Sequence, residues 1–435
     1  THCVLLYKVI TEKLMSDYAD VFDSKVQLKC MSGGEMKIHT KENFEPYSIY
    51  TARNIPIAWQ ELVKMELDRM EKNEIIAPVK DEPTAWCHPM VVVSKPSGGV
   101  RICVDLTKLN KYVERPIHPM RTPREAVQNI KEGSCYFTTC DATHGYWQIP
   151  LEESSQKLTT FLTPWGRYKF KRAPMGLSST GDEYNRRFDE AITDIHNVQK
   201  VLDDTIMYDS DYETHVKNVR AFLELCRKNN ITLNPKKFKF AEQNVNFVGY
   251  NVGKDGVAAD SGKVQGIIDF PTPKTVTELK SFLGMANQLG QFSKELSAKT
   301  TPLRELLRKN RVFLWTDEHS KAFEETKSIL CKTPILAHFD PAKPTVLQTD
   351  ASRTKGLGFA LMQKYGDDWK IIQCGSRYLS DTESRYAMVE LELLAAVWAV
   401  KKCRYHLLGL PNFTIRVDHR PLVSILDKKL LHEMV

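Results

Sequence analysis

The stretch Phe137-Thr138-Thr139-Cys140-Asp141-Ala142-Thr143-His144-Gly145-Tyr146-Trp147-Gln148-Ile149-Pro150-Leu151 decides how this 435-residue chain is read. Residues 135–141 are β-rich and end in an acid. A second acidic site, Asp203-Asp204, lies between the apolar pairs Val201-Leu202 and Ile206-Met207. Residues 201–208 therefore read as a hairpin with both acids near its turn. Three carboxylates at strand ends, flanked by chain that favours burial, repel one another unless a cation sits among them. Two hard divalent ions held this way suit phosphoryl transfer, one activating an attacking hydroxyl and the other steadying a leaving pyrophosphate. An Asp-Asp pair alone is an ordinary turn element, so the surrounding chain has to carry the argument.

On the N-terminal side, Pro89-Met90-Val91-Val92-Val93-Ser94-Lys95 and Val100-Arg101-Ile102-Cys103-Val104-Asp105 flank the turn Pro96-Ser97-Gly98-Gly99, so residues 89–105 form a hairpin. Arg101, Cys103 and Asp105 share one face of the return strand and Val100, Ile102 and Val104 the other. A helix follows Pro56, with Trp59, Leu62, Val63, Leu67 and Met70 at helical spacing. Residues 1–50 read as a polar, irregular approach. On the C-terminal side, Gly166 turns a ribbon over 159–171, residues 178–192 suit a helix, and residues 216–228 form an amphipathic one. Pro271-Thr272-Pro273 is a linker, with helical stretches to about 330. Strands at 345–349, 358–362 and 370–374, a helix at 386–407 and a strand at 413–417 indicate a separate α/β domain. There Asp350 and Asp418 end strands. Glu390 and Glu392 stand 200° apart on the helix, so only one can join those aspartates. Glu392 shares its face with Ala395, Ala396, Ala399 and Cys403, small residues that let a helix approach a sheet closely, and it is the one chosen.

Length suggests about three domains at ~150 residues each. The 42% hydrophobic and 26% charged residues exclude a disordered chain. A net charge of +7 permits a nucleic-acid partner without demanding one. Ten cysteines without a C-x-x-C pair argue against zinc fingers and against a secreted disulfide framework, so a reducing, intracellular setting is expected. The richest apolar run, residues 391–400, contains Glu392 and falls short of a membrane span. Thr1-His2-Cys3 lacks a Met and a signal peptide, so the chain is read as a piece of a longer polypeptide that breaks off after Val435.

The run 137–151 resembles the first catalytic block of retroelement reverse transcriptases. Thr159-Thr160-Phe161, Gly166-Arg167-Tyr168-Lys169-Phe170 and Pro174-Met175-Gly176-Leu177 are similar to the next block, and Val201-Leu202-Asp203-Asp204 stands where those enzymes carry paired aspartates. Val100 to Leu106 and Phe247-Val248-Gly249-Tyr250 match in the same order. The resemblance spans roughly residues 15–425 and is greatest to the Pol polyprotein of gypsy-type (metavirus-like) long-terminal-repeat retrotransposons. Thr349-Asp350-Ala351-Ser352, Glu392-Leu393-Leu394-Ala395 and Val417-Asp418-His419-Arg420-Pro421-Leu422 resemble its ribonuclease H domain.

The resemblance implies an α/β and α+β multidomain fold, a fingers-palm-thumb right hand followed by a C-terminally incomplete RNase H-like α/β domain. Its parts would be an N-terminal flanking segment (1–50), fingers and palm (51–250), thumb and connection (251–335) and the RNase H-like domain (336–435). It implies catalytic, metal-holding roles for Asp141, Asp203, Asp204, Asp350, Glu392 and Asp418, with two Mg²⁺ or Mn²⁺ ions per site. Lys95, Arg101, Tyr146, Met175 and Gly176 would bind the nucleotide, with Tyr146 beneath the sugar. Lys217, Arg220, Lys236, Lys237, Gly249 and Tyr250 would meet nucleic acid; the basic run over residues 216–240 abuts the palm, just before the place of a primer-gripping thumb, and would hold phosphates. The implied activity is RNA-directed DNA polymerisation with an attached, impaired RNase H. The implied partners are an RNA template, a DNA primer, their hybrid, dNTPs, and either a second copy or other parts of the polyprotein; no membrane is expected. The implied setting is the cytoplasm, in a virus-like particle, and/or the nucleus. Two departures, Val201 for an aromatic residue and Thr180-Gly181 for Ala-Pro, keep open a decayed or domesticated remnant that binds nucleic acid or protein without catalysis.

Overall fold

The computed structural model describes residues 2–22, 28–95, 98–293, 295–308, 312–332, 334–418 and 422. Pro96 and Ser97 of the expected turn, and His419 to Pro421 of the last motif, lie outside them. The chain falls into two compact units: Thr1–Thr122 with Tyr136–Glu242, and Pro123–Cys135 with Gln243–Val435. It is a mixed α/β molecule with several sheets.

Among the described residues, the first unit holds nine strands: β1 (Ile76–Val79), β2 (His88–Ser94), β3 (Val100–Val104), β4 (Tyr136–Asp141), β5 (Phe161–Thr163), β6 (Gly166–Phe170), β7 (Val198–Val201), β8 (Asp204–Asp209) and β9 (Lys239–Glu242). They form a five-stranded sheet, β1-β6-β5-β2-β3, where the resemblance puts the fingers, and a four-stranded sheet, β7-β8-β4-β9, where it puts the palm. In β3 the alternation holds: Val100, Ile102 and Val104 are buried while Arg101 is exposed. The helix Ile57–Lys72 buries Val63, Leu67 and Met70, a stripe of spacing four and three. Leu62, expected on that stripe, is instead exposed.

Two helices enter the palm core. Ser178–Ala191 buries Tyr184 and Phe188. Tyr212–Lys228 buries His215, Val219, Phe222, Leu223 and Cys226. The second helix starts four residues earlier than its periodicity indicates because Asp211 caps it, accepting from the Thr214 N–H at 2.8 Å. A buried chain then ties this helix to the sheet. His215 Nδ1 lies 2.7 Å from Asp209 Oδ2, and Nε2 lies 2.7 Å from the Thr138 hydroxyl. With Asp209 accepting at Nδ1, Nε2 accepts from Thr138, whose oxygen also takes the Ala241 N–H. Asp209 receives Asn197 and Asn218 as well. Strands β4, β8 and β9 and the helix are thus locked behind the acidic end of the sheet.

Two expectations need correction here. Residues 1–50 are not merely an irregular approach: helices cover His2–Asp17 and Ala19–Phe22, and Leu14, Val21, Phe22, Met36 and Ile38 join the core of the first unit. The basic run 216–240, expected to meet phosphates, is not all free to do so. It folds with the palm, and part of it is spent internally: Arg220 pairs with Asp17 at 3.3 Å, and Arg227 with Asp20 at 2.9 Å while its guanidinium stacks on Tyr18.

The second unit opens with a three-stranded sheet, β10 (Asn244–Phe247), β11 (Tyr250–Gly253) and β12 (Gly256–Ala259). Helices Ser261–Ile268, Val276–Gln288, Leu296–Glu305 and Asp317–Cys331 follow, with Pro271-Thr272-Pro273 between the first two. Their core is built on Leu279, Phe282, Leu303, Phe323 and Leu330, with the Phe282 and Phe323 rings 4.5 Å apart. Then come β13 (Thr345–Ser352), β14 (Gly356–Tyr365), β15 (Asp368–Arg377), the helix Met388–Leu407 and β16 (Thr414–Arg416). The sheet order is β15-β14-β13-β16, antiparallel except for β13 with β16. Ala395, Ala399 and Cys403, fully buried, form the helix face that lies against it.

Candidate active sites

The palm acids are set by strand register. In the antiparallel pair β4–β8, Asp141 stands directly opposite Asp204. In β7–β8, Val201 pairs with Asp204, leaving Leu202 and Asp203 as a two-residue turn. Leu202 takes φ = 53°, in a turn whose first central position favours glycine. Such a backbone costs on the order of 1–3 kcal/mol for a leucine. The strained turn holds Asp203 at the strand end where the other two carboxylates meet.

Asp203 and Asp204 carry the strain of buried like charges brought together. Burial first, then the charges of Asp141 and Asp204, pushes Asp203 up to about 6. Asp204 is raised by burial and by Asp141. Asp203 Oδ1 is buried and has no hydrogen-bond partner. A cation also reaches the cluster: Lys237, whose Nζ lies 2.6 Å from Asp141 Oδ2. Lys237, expected to meet nucleic acid, is therefore an ion partner of a palm acid. Lys200, which sequence reasoning missed, lies buried nearby on β7. It hydrogen-bonds Asn185, stands 3.2 Å from Asp189, and draws Asp203 downward against the larger push of burial and the neighbouring acids.

Tyr146 lies on the short helical turn Gly145–Gln148 that follows β4, half-buried, with its ring edge-on to Tyr184 at 5.5 Å. Burial and the neighbouring Asp203 charge raise its phenol. A Cβ placed on Gly181 would stand 3.8 Å from the Tyr146 hydroxyl, so a side chain at this position would be in ordinary contact with Tyr146.

The second acidic site lies in the second unit. Asp350 on β13, Glu392 on the helix Met388–Leu407 and Asp418 just beyond β16 place one carboxylate oxygen each within 4.8 Å of one another. Among the described residues no other group of three acids, histidines or cysteines is gathered that closely. The palm acids, with Lys237 drawn to one of them, are more spread. Glu392 is buried, Oε2 has no hydrogen-bond partner, and burial together with Asp418 and Asp350 raises its carboxyl well above the usual range. Glu390 caps its own helix by accepting the Ala387 N–H at 2.8 Å. Orphaned carboxylate oxygens converging at both sites are the donor set a hard divalent cation takes.

Residues 93–252 match the family described as reverse transcriptase (RNA-dependent DNA polymerase), and residues 315–415 match the RNase H-like domain found in reverse transcriptase. The chain carries a reverse transcriptase domain followed by an RNase H-like domain. It is 30% identical over 97% of its length to the retrovirus-related Pol polyprotein from transposon opus of Drosophila melanogaster. It is 29% identical over 91% of its length to the Tf2-3 transposon polyprotein of Schizosaccharomyces pombe. The chain spans 43% and 30% of those two relatives, less than half of either. Among solved structures, the foamy viral protease-reverse transcriptase dRH in complex with double-stranded DNA superposes with a TM-score of 0.85 at 21% identity, over 97% of this chain and 73% of that one. The foamy viral protease-reverse transcriptase in complex with an RNA/DNA hybrid superposes at 0.80 and 20% identity, over 97% of this chain and 57% of that one. At those identities the likeness is one of fold.

In the reverse transcriptase domain the remaining expected residues fall as follows. Lys95, at the end of the β2 strand, stands 3.8 Å from Glu66, and Arg101 is exposed on β3. Burial first, then Arg69, lowers the His144 imidazole, with smaller pushes from Lys95 and Arg101 and an opposing one from Glu66. Met175 is half-buried and Gly176 exposed; Gly176 takes φ = 88° and its carbonyl accepts from Asn110 at 2.8 Å. Lys217 and Lys236 are exposed, the latter lining a pocket of about 280 Å³ with Arg69, Thr143 and His144. Arg220 is held by Asp17. Gly249 follows Val248 in the β10–β11 turn, with φ of 83° and 44°. That double left-handed turn suits glycine and strains valine. Tyr250 accepts from Gln291 at 2.9 Å.

Proposed function

We propose that this chain is the RNA-directed DNA polymerase region of a gypsy-type retrotransposon Pol polyprotein, copying an RNA or DNA template into DNA from a primer. The observation that carries the reading is the palm end: Asp141 opposite Asp204, and Asp203 at a strained turn with a buried, unpartnered oxygen. Asp141, Asp203 and Asp204 would hold two divalent ions, Mg²⁺ or Mn²⁺. Bound there, the metals would supply a lowered pKa for the primer 3′-hydroxyl and charge neutralisation at the departing pyrophosphate.

The chain's own residues do the rest. The β4–β8 register keeps two carboxylates side by side, and the His215 lock keeps that register. Lys95 and Arg101 offer cations to the triphosphate, the guanidinium as a bidentate fork. Tyr146 limits room beneath the sugar and thereby selects deoxyribose. Asp350, Glu392 and Asp418 would hold metal in the RNase H-like domain and direct hydrolysis of the RNA strand of a hybrid.

The test is primer extension by the 435-residue chain on an RNA template with dNTPs and either Mg²⁺ or Mn²⁺. Metal-dependent addition of nucleotides to the primer is expected. No addition with either metal, by chain that binds the template-primer, would contradict the reading.

A further inference from the structure

The first unit holds a buried lysine whose seat is built from one face of one helix. Lys200 lies on β7, three residues before Asp203, with its side chain 6% exposed. Its ammonium reaches the helix Ser178–Ala191, where it bonds Asn185 Oδ1 and stands 3.2 Å from Asp189 Oδ1. It also lies 5.8 Å from the Tyr184 ring centre and 5.2 Å from that of Phe188. Both distances fall within the ~6 Å at which a cation is drawn to an aromatic ring. Positions 184 and 188, and 185 and 189, are each one turn apart, so two rings and two oxygens share one side of the helix. His118 holds the other Asp189 oxygen at 2.7 Å, and Asn185 is tied back to the Gly181 carbonyl at 2.8 Å. An apolar side chain would fill this seat without the cost of burying a charge. The ammonium has to supply something that packing does not.

Its neighbours indicate what that is. Tyr184 is fully buried and its hydroxyl has no hydrogen-bond partner, so no directional bond fixes the ring. The ring is held by what packs on it: Phe188 at 5.8 Å, the Lys200 ammonium, and Tyr146 edge-on at 5.5 Å. It also presses on the backbone before Tyr146, where a Cβ placed on Gly145 would stand 2.9 Å from it. A close-packed interior transmits such strain rather than absorbing it, so a shift of Tyr184 reaches Tyr146 directly.

We propose that Lys200 is a positioning residue for sugar selection: its ammonium holds Tyr184 against Gly145 and Tyr146 and so sets the room beneath the incoming sugar. The proposal rests on the reading of Tyr146 as the ring beneath that sugar, and adds a residue outside the palm acids and the fingers cations.

Lys200→Met keeps the apolar stem and removes the ammonium. Combining it with Asp189→Asn removes the countercharge as well, which separates loss of the cation from a carboxylate left short of a partner. Tyr146→Ala runs beside them. Two quantities are measured on the whole chain. One is the ratio of kcat/KM for a ribonucleotide to that for its deoxyribonucleotide in single-nucleotide addition. The other is backbone hydrogen exchange over residues 143–148, which needs no activity. In both Lys200 variants the ratio should rise about fivefold, the worth of one cation–π contact, and by less than in Tyr146→Ala. Exchange over 143–148 should quicken, while exchange over 345–377 in the RNase H-like domain stays at the parent's rate. A parental ratio in both Lys200 variants, beside a raised one in Tyr146→Ala, overturns the proposal even if overall rates fall, because a merely structural lysine slows both sugars alike. Parental exchange over 143–148 overturns it too, whatever the chain polymerises. A parental ratio in Tyr146→Ala would sink the sugar reading itself, and this proposal with it.

Discussion

Replacing Asp203 with Asn should make the metal-free protein more stable at neutral pH while it disables the site. Burial and two neighbouring carboxylates lift Asp203 from an ordinary 3.8 to about 6. At 1.36 kcal/mol per pKa unit this is about 3 kcal/mol of strain in the charged form. Water reaching the half-buried group trims the realised figure to about 1–3 kcal/mol. The sign follows from the direction. Because the folded value lies above the unfolded one, the favourable contribution of this group is complete below about pH 4 and is lost as pH rises through about 6. Asn, neutral at every pH, avoids that loss and keeps the shape of the turn. Thermal or urea unfolding in EDTA should therefore show Asp203→Asn more stable than the parent at pH 8 and level with it near pH 4. Saturating Mg²⁺ should reverse the order at pH 8, because only the parent gains binding energy. An Asn variant that is less stable at pH 8 without metal, or whose advantage is the same at pH 4, would refute the reasoning. It would show that Asp203 is held by partners rather than strained by neighbours.

Other outcomes follow from neighbouring geometry. Tyr146→Ala should raise kcat/KM for ribonucleotides relative to deoxyribonucleotides by about ten- to a hundredfold, read in single-nucleotide addition; an unchanged ratio would make the ring a packing element against Tyr184. Lys237→Ala should tighten Mn²⁺ binding in the absence of nucleic acid by up to about fivefold, the worth of an exposed ion pair, measured by electron paramagnetic resonance; equal affinity would mean the ammonium yields at no cost. In the RNase H-like domain, Glu392→Gln should remove one class of Mn²⁺ sites and raise the metal-free thermal midpoint at pH 8, since the raised carboxyl contributes favourably only at lower pH. Loss of stability instead would assign Glu392 a structural bond.

Much of this architecture was legible because its signals are local. The alternation in residues 100–105, the acid closing 135–141, and the apolar pairs around Asp203-Asp204 each announce a strand or a turn without reference to distant chain. The small-residue face that selected Glu392 over Glu390 is likewise a property of one helix, and the structure brings Glu392 to Asp350 and Asp418. What stayed hidden depends on partners far away in sequence. Arg220 meets Asp17 across 203 positions and Lys237 meets Asp141 across 96, so a basic run looked free for phosphates when part of it was already paired. The helix His2–Asp17 lacks an evident stripe, and the folded burial of Leu14 supplies what periodicity did not. The left-handed backbone at Leu202 and Val248 carried no signal either, since neither residue type advertises a positive φ.

The central claim is that Asp141, Asp203 and Asp204 form a metal-dependent polymerase site. The most direct measurement is single-turnover addition of one dNTP to a primer on an RNA template, comparing parent and Asp203→Asn, with hybrid affinity measured in parallel. A fall of about a hundredfold or more in the addition rate is expected, with hybrid affinity retained. Addition by Asp203→Asn at the parent's rate would contradict it.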